Sequence, residues 1–314
     1  MLRYAGTRVA GMVPTVLILL FLAVVMIDFI PGDIVDLMME GNPSPEHRAE
    51  VEAALGLDRS LVVRYFDYVR GLVVGDFGNS LWNEQPILPE LLRRIPVTIE
   101  IAVLATVIGT ATGVFFGVLS ALRQDGPLDY VLRSISIIGI SFPSFAIATL
   151  VVIMPAIWWG VSPTLRYVGP TSDPLKHFMI VLVPSIVLSL NLTASIMRLS
   201  RTTMLDVLRQ DYIRTARAKG LTTSQIMLRH ALKNAMIPVI TLTGLQIAFL
   251  IGGSVIVESV FVIPGLGRYL LTAVNQRDYP AFQAIVVLLG VFVMAVNLLV
   301  DLSYAWFDPR IRMS

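Results

Sequence analysis

The residues best suited to do chemistry in this 314-residue sequence are cations, rather than nucleophiles or metal ligands. Eight of its 24 lysines and arginines fall between residues 198 and 233: Arg198, Arg201, Arg209, Arg214, Arg217, Lys219, Arg229 and Lys233. Within that stretch, Asp211-Tyr212-Ile213-Arg214-Thr215-Ala216-Arg217-Ala218-Lys219-Gly220 reads as a short helix ended by a glycine, the residue that suits the left-handed position after a helix. Thr222 and Gln225, three residues apart, have the spacing of a capping box that starts a second helix. Ile213, Ala216 and Gly220 share one face of the first helix, with Arg214, Arg217 and Lys219 around it. Such a helix suits either anionic lipid or an acidic groove on another protein. Lipid anchoring calls for bulky Trp, Phe or Leu on the buried face. Here that face is mainly Ala and Gly, so close approach by a protein partner is the expectation.

Other chemistry is excluded by motif. The phosphate cradle GxxxxGK[ST] is absent, as are HExxH and GxSxG, so the chain is expected to bind no ATP, metal or other cofactor and to catalyse nothing by itself. His47, His177 and His230 are too scattered for a histidine site, and the absence of cysteine removes disulfides and thiolate metal sites. Ionisable groups inside apolar segments are functional candidates. Asp28, Glu100, Glu258 and Asp301 lie near the ends of such segments, where headgroup-level solvation accounts for them, while Asn191, Gln246 and Asn297 sit deeper. Asn191, Gln246 and Glu258 are the candidates for lining a polar pathway, with helix-to-helix hydrogen bonding the competing role for the amides.

The elements that must position these residues are set by composition. The chain is 55% hydrophobic and 15% charged, with a mean hydropathy of +0.76, which argues against a soluble domain. A net charge of +2 gives no case for a nucleic-acid partner. Six charge-free runs are long enough to cross a bilayer: Val9–Ile27, Ile101–Leu122, Ser134–Leu165, Phe178–Met197, Asn234–Val257 and Tyr279–Val300. Pro155 and the Ser162-Pro163 turn leave the third run room for one helix ending near Trp159. The first run exceeds a signal-peptide core and precedes no small-x-small cleavage site, so it is expected to be a retained helix. The expectation is an all-α polytopic membrane protein with six transmembrane helices.

Basic residues set orientation. Arg3, Arg8, Arg123, Arg133, the eight cations of 198–233, Arg310 and Arg312 put 14 of the 24 basic residues on one side, against five acidic residues. That side is expected to be cytoplasmic, with both termini inside. Gly32 to Arg94, with 11 acidic and 6 basic residues, then lies outside. The expected organisation is an N-terminal transmembrane helix (1–30), an extracytoplasmic insert (31–94), a five-helix core (95–303) containing the 198–233 loop, and a cytoplasmic tail (304–314). In the insert, Ser44-Pro45-Glu46 and Gly56 frame a helix near 45–55, and Ser60 starts another running to about Val74. Leu61, Tyr65, Tyr68, Val69 and Leu72 form an apolar stripe on that second helix, which suits packing on neighbouring loops or the membrane surface, with docking of an extracytoplasmic partner the alternative that spacing favours less.

The 211–238 stretch resembles the cytoplasmic loop of bacterial ABC-importer permeases of the dipeptide, oligopeptide and nickel branch, and in particular of the first permease subunit. Arg214-Thr215-Ala216 with Gly220 occupies the place of the family's Glu-Ala-Ala-x-x-x-Gly, and Lys233 that of its later proline. The resemblance extends to Met1-Leu2-Arg3-Tyr4, Phe29-Ile30-Pro31-Gly32-Asp33, Leu55-Gly56-Leu57-Asp58, Gly75-Asp76-Phe77-Gly78-Asn79-Ser80 and Arg94-Ile95-Pro96-Val97-Thr98-Ile99-Glu100. It continues through Glu258-Ser259-Val260-Phe261, Pro264-Gly265-Leu266-Gly267 and Asp308-Pro309-Arg310-Ile311-Arg312. It implies the type I importer permease fold in the bacterial inner membrane, with 211–220 as the coupling helix. It also implies a second, homologous permease subunit, two cytoplasmic ATPase subunits that hold ATP and magnesium, and an extracytoplasmic substrate-binding protein. The implied solute is a peptide, with nickel chelates, glutathione and oligosaccharides as cargoes of related systems. An ion-gradient-driven carrier or channel is the alternative class; mid-membrane carboxylates, which would favour it, are not seen.

Overall fold

A computed structural model of the chain describes residues 2–26, 35, 44–161 and 167–307. Asp28, the 29–33 segment, the Ser162-Pro163 turn and the 308–312 segment lie outside the described residues. Helices carry the fold: α1 (Leu2–Val25), α2 (Pro45–Leu55), α3 (Leu61–Val74), α4 (Ile87–Leu122), α5 (Pro127–Ser141), α6 (Ser144–Trp159), α7 (Pro174–Leu208), α8 (Asp211–Ala218), α9 (Leu232–Val260), α10 (Leu266–Asn275) and α11 (Tyr279–Phe307). No strand occurs among the described residues, only an isolated bridge between Asn79 and Pro86.

Among the described residues, five helices are long and apolar enough to cross a membrane: α1 over Arg8–Val25, α4, α7, the helix over Ile226–Val260 that contains α9, and α11 over Tyr279–Val300. The third apolar run corrects the expectation of one helix. It is split into α5 and α6, which meet at 96° around Phe142-Pro143, and the pair makes the sixth span if counted together. Phe142 is extended (φ −89°, ψ 125°), as residues before proline are forced to be, and Pro143 has no N–H to continue α5. Pro155, by contrast, lies inside α6, which runs on to Trp159 and stops on a left-handed Gly160.

The chain forms two compact units: residues 1–96 with 268–298, and residues 97–267 with 299–314. In the first unit, the expected stripe on α3 does not rest on loops. Tyr65, Tyr68, Val69 and Leu72 pack against Leu20 and Ala23 of α1 and Val287 of α11. Gln283 Nε2 donates to the Ala23 carbonyl at 2.7 Å. Ser80 Oγ donates to the buried Asp278, whose Oδ1 also accepts from the Leu81 N–H at 3.2 Å. The Tyr68 hydroxyl has no hydrogen-bond partner among the described residues, and burial pushes its phenol above the ordinary range.

In the second unit, α4 and α7 approach closely because Gly109, Gly113 and Gly117 recur every four residues, one above the other on a single face. A Cβ at Gly113 would lie 2.7 Å from Ile196 Cβ, and one at Gly117 would lie 2.6 Å from the Met197 carbonyl oxygen. Small residues at this spacing are the standard means of bringing transmembrane backbones together. Two polar pairs fasten the same unit. Asp129, at 0% exposure in the first turn of α5, accepts both Arg201 Nε and Nη2 at 2.7 Å, Ser120 Oγ at 2.5 Å and the Asp125 N–H at 3.0 Å. His177 Nε2 faces Glu100 at 2.9 Å, while its Nδ1 faces the Val168 carbonyl at 2.8 Å.

Candidate functional site

The cationic loop folds as its capping residues dictate. Gln210, extended at φ −69° and ψ 150°, opens α8, with Asp211 in the first turn and Arg217 in the last, both favourable to the helix dipole. Gly220 follows at φ +80°, and the Leu221 N–H closes back onto the Ala216 carbonyl at 3.3 Å. The capping box then forms in full: the Thr222 N–H donates to Gln225 Oε1 at 3.0 Å, and the Gln225 N–H donates to Thr222 Oγ1 at 3.3 Å. One feature departs from the reading by sequence. Residues Ile226–Ala231 form a π-helical turn that runs directly into α9.

The small face of α8 was expected to admit a partner, and the structure corrects this. Ile213 has 0% exposure and packs with Ala121, Met204, Ile226, Ala231 and Ala235, with Ala216 against the same cluster. That face therefore fastens α8 to its own chain, because a buried isoleucine outweighs the access that neighbouring small residues would give. The outward face is the charged one: Asp211, Tyr212, Arg214, Thr215, Arg217, Ala218, Lys219 and Gly220 are exposed. A second fastening was not readable from the sequence. Asn234 Nδ2 on α9 donates to the Tyr212 hydroxyl at 2.9 Å and to the His230 carbonyl at 3.0 Å. α8 is thus fastened to the start of α9 by an apolar plug and a side-chain hydrogen bond.

The three pathway candidates have separate fates. Asn191 on α7 and Gln246 on α9 are half-buried, and neither makes a side-chain hydrogen bond among the described residues. Glu258 is neither solvated nor open to a pathway surface of this chain: it has 0% exposure. Its Oε1 accepts from Thr98 Oγ1 at 2.8 Å, and Thr98 Oγ1 in turn accepts from the Leu266 N–H at 2.8 Å. Gly265 and Gly267 leave the space that the carboxylate fills, so Glu258 anchors the turn from α9 into α10. Glu100 keeps 41% of its side chain exposed, in keeping with the expected solvation, and also pairs with the buried His177. Asn297 is exposed, and the side chains of His47 and Asp301 lie outside the described residues. In place of Asn and Gln, the hydroxyl pairs Thr112–Thr193 (3.1 Å) and Thr110–Thr243 (3.4 Å) bridge helices.

A Cβ at Gly265 would fall on the Glu258 carboxylate. Gly265→Ala is therefore expected to lower stability by about 1–3 kcal/mol through overpacking. The double variant Gly265→Ala/Glu258→Ala should lose less than the sum of the two single losses, measured by thermal unfolding of the purified chain. Strict additivity would show that the two positions do not share this space.

Comparison with known proteins places this geometry in context. Residues 113–313 match the family described as "Binding-protein-dependent transport system inner membrane component", and residues 1–102 match its N-terminal companion. The chain is 36% identical over 336 residues to the dipeptide transport system permease protein DppB of Escherichia coli K12, covering 99% of each. It is 37% identical over 312 residues to the glutathione transport system permease protein GsiC of Salmonella choleraesuis, again covering 99% of each. Among solved structures, the inward-facing MetNI methionine ABC transporter superposes with a TM-score of 0.58 at 18% identity, covering 71% of this chain and 99% of that one.

Proposed function

The chain belongs to the family of binding-protein-dependent transport system inner-membrane components, and from that membership we propose that it is the permease subunit of an ATP-driven peptide importer whose power stroke enters through α8. The similarity to dipeptide and glutathione permeases supports small peptides as the cargo. This chain and a second, homologous permease subunit enclose one pathway. Two ATPase subunits on the cytoplasmic side hold ATP and magnesium, and this chain holds no cofactor. A substrate-binding protein delivers the solute from outside. The orientation that follows has both termini and the 198–233 loop in the cytoplasm.

The observation that carries the mechanism is the two-sidedness of α8. Its inner face is plugged into the cluster of Ile226, Ala231 and Ala235 at the root of α9, while its outer face offers Arg214, Arg217 and Lys219. An acidic groove rim on an ATPase subunit attracts those cations, and closure of the ATPase pair pulls on α8. The fastened helix conveys the pull to α9, and the transmembrane helices rock about the pathway as packed bodies.

Uptake of labelled dipeptide by cells expressing the complete transporter tests the assignment. Depleting ATP at a maintained proton gradient is expected to stop uptake; continued uptake would overturn ATP-driven import. Reversing Arg214→Glu and Arg217→Glu together is expected to reduce uptake by about tenfold or more, since like charges facing each other across an interface cost several kcal/mol. Membrane abundance should not change, because both side chains are exposed. Full uptake by the double reversal would remove α8 as the docking face.

A further inference from the structure

We propose that α3 is seated in the lipid of the leaflet on the side of residues 44–86, with Val62, Phe66 and Val73 against acyl chains. The insert was expected to be extracytoplasmic, with the apolar stripe of this helix on neighbouring loops or the membrane surface, but that stripe is already used against α1 and α11. A second apolar sector remains. Val62 is 63% exposed, Phe66 63% and Val73 82%, and at 100° per residue these three fall within about 40° of one another on the helix. Val63 and Val74 are exposed as well.

Depth along α1 identifies what covers this sector. The Tyr65 hydroxyl donates to the Leu17 carbonyl at 3.3 Å, and the Tyr65 ring meets Phe21 edge-on at 5.9 Å. Leu17 lies nine residues from Arg8 and eight from Val25 in the span Arg8–Val25, at its middle. A rise of 1.5 Å per residue puts it about 12–14 Å from either end, within a hydrocarbon core of about 30 Å. A tyrosine that reaches that depth places its helix beside the outer half of the span. Two polar groups of α3 agree, while the exposed Arg70 borders the apolar sector, about 40° from Phe66. Arg64 Nη2 extends to the Val24 carbonyl at 3.2 Å, near the end of α1, as a long cationic side chain does at an interface. Asp67 pairs with Arg59 Nη1 at 2.9 Å. Helices of this kind bury an apolar face about 5–10 Å below the headgroup boundary. The exposed Trp82, in the turn that follows, suits the interfacial belt. The occupant of this face is therefore lipid, whatever solute the transporter carries.

The absence of cysteine makes the test direct. Nitroxide labels are placed at Phe66→Cys, Val62→Cys, Ile18→Cys and Arg59→Cys in the complete transporter in liposomes, and collision rates with oxygen and with a water-soluble nickel chelate are measured. At Phe66 and Val62 the oxygen-to-nickel ratio is expected to exceed that at Arg59 several-fold and to match that at Ile18 on the exposed face of α1. Ready access for the nickel chelate would place α3 in water and overturn the proposal. Protection from both reagents would show a protein partner on this face and overturn it equally. Val73→Cys provides a second reading of the same sector if a label at Phe66 disturbs the Tyr65 contact. A failure here leaves peptide uptake unaffected, so the two readings fail separately.

Discussion

Arg201→Ala is expected to destabilise the folded chain by about 3–5 kcal/mol, the usual consequence of stranding one member of a buried ion pair. Asp129 has no exposure of its own, and Arg201 supplies two of its four hydrogen bonds. Removing the guanidinium leaves the buried carboxylate with only Ser120 and the Asp125 amide. Asp129→Ala should cost less, because Arg201 keeps some access to solvent with 18% of its side chain exposed. The double variant should recover part of the Arg201→Ala loss. Thermal or denaturant unfolding of the purified chain, read as a double-mutant cycle, checks all three. If Arg201→Ala costs less than Asp129→Ala, the carboxylate is not the dependent partner. The pair also has a local role: Asp129 holds the Asp125 N–H, and Asp125 sits at φ +59° in the turn between α4 and α5. Loosening of that turn in Arg201→Ala would appear as faster proteolysis at residues 123–126.

Gly117→Leu is the second large effect, expected at about 3 kcal/mol or more, at or beyond the top of the ordinary overpacking range. The obstruction is backbone. A Cβ there meets the Met197 carbonyl oxygen at 2.6 Å and Ser200 Cβ at 2.6 Å, and the Arg201 nitrogen lies at 3.2 Å. No rotamer change relieves a clash with a carbonyl, so α4 and α7 must separate, and the contacts at Gly109 and Gly113 open with them. Gly252→Ala is the matched control. It adds a methyl group within a transmembrane helix where nothing lies within 4 Å. It should be neutral or stabilising by about 0.5–1 kcal/mol, since alanine is the better helix former. Equal losses at Gly117 and Gly252 would show that helix packing is not what selects glycine on α4.

Peptide uptake, helix packing and lipid seating draw on different parts of the sequence, and those parts were unequally legible. The ends of α2 and α8 were readable because each is fixed by chemistry within four residues, at Gly56, at Gly220 and at the Thr222–Gln225 box. The start of α3 follows Ser60 as read, although the serine side chain makes no capping bond. The end of α6 was read from the Ser162-Pro163 turn, whereas a left-handed Gly160 closes it. The break at Phe142-Pro143 was equally local, but its signal competed with Pro155. A proline inside a long apolar helix forfeits one hydrogen bond, whereas Pro143 sits where the preceding residue is free to turn extended. The π-helical turn at 226–231 leaves no mark in composition or periodicity.

By itself the sequence determined that the chain is a membrane protein, how many apolar runs it has, where its cations gather and where its short helices stop. Each of these follows from transfer free energy summed along the chain or from hydrogen bonds closed within a turn. Only the tertiary structure decided which face of each helix is inside. Ile213 turned the small face of α8 inward and left the cations outward, and Glu258 passed from pathway candidate to anchor of a turn through Thr98, 160 residues away. Asp129 and Arg201, 72 residues apart, became one buried pair. Partners so distant are chosen by which helices pack, and packing depends on the shapes of two surfaces at once, which periodicity along a single strand of sequence does not encode.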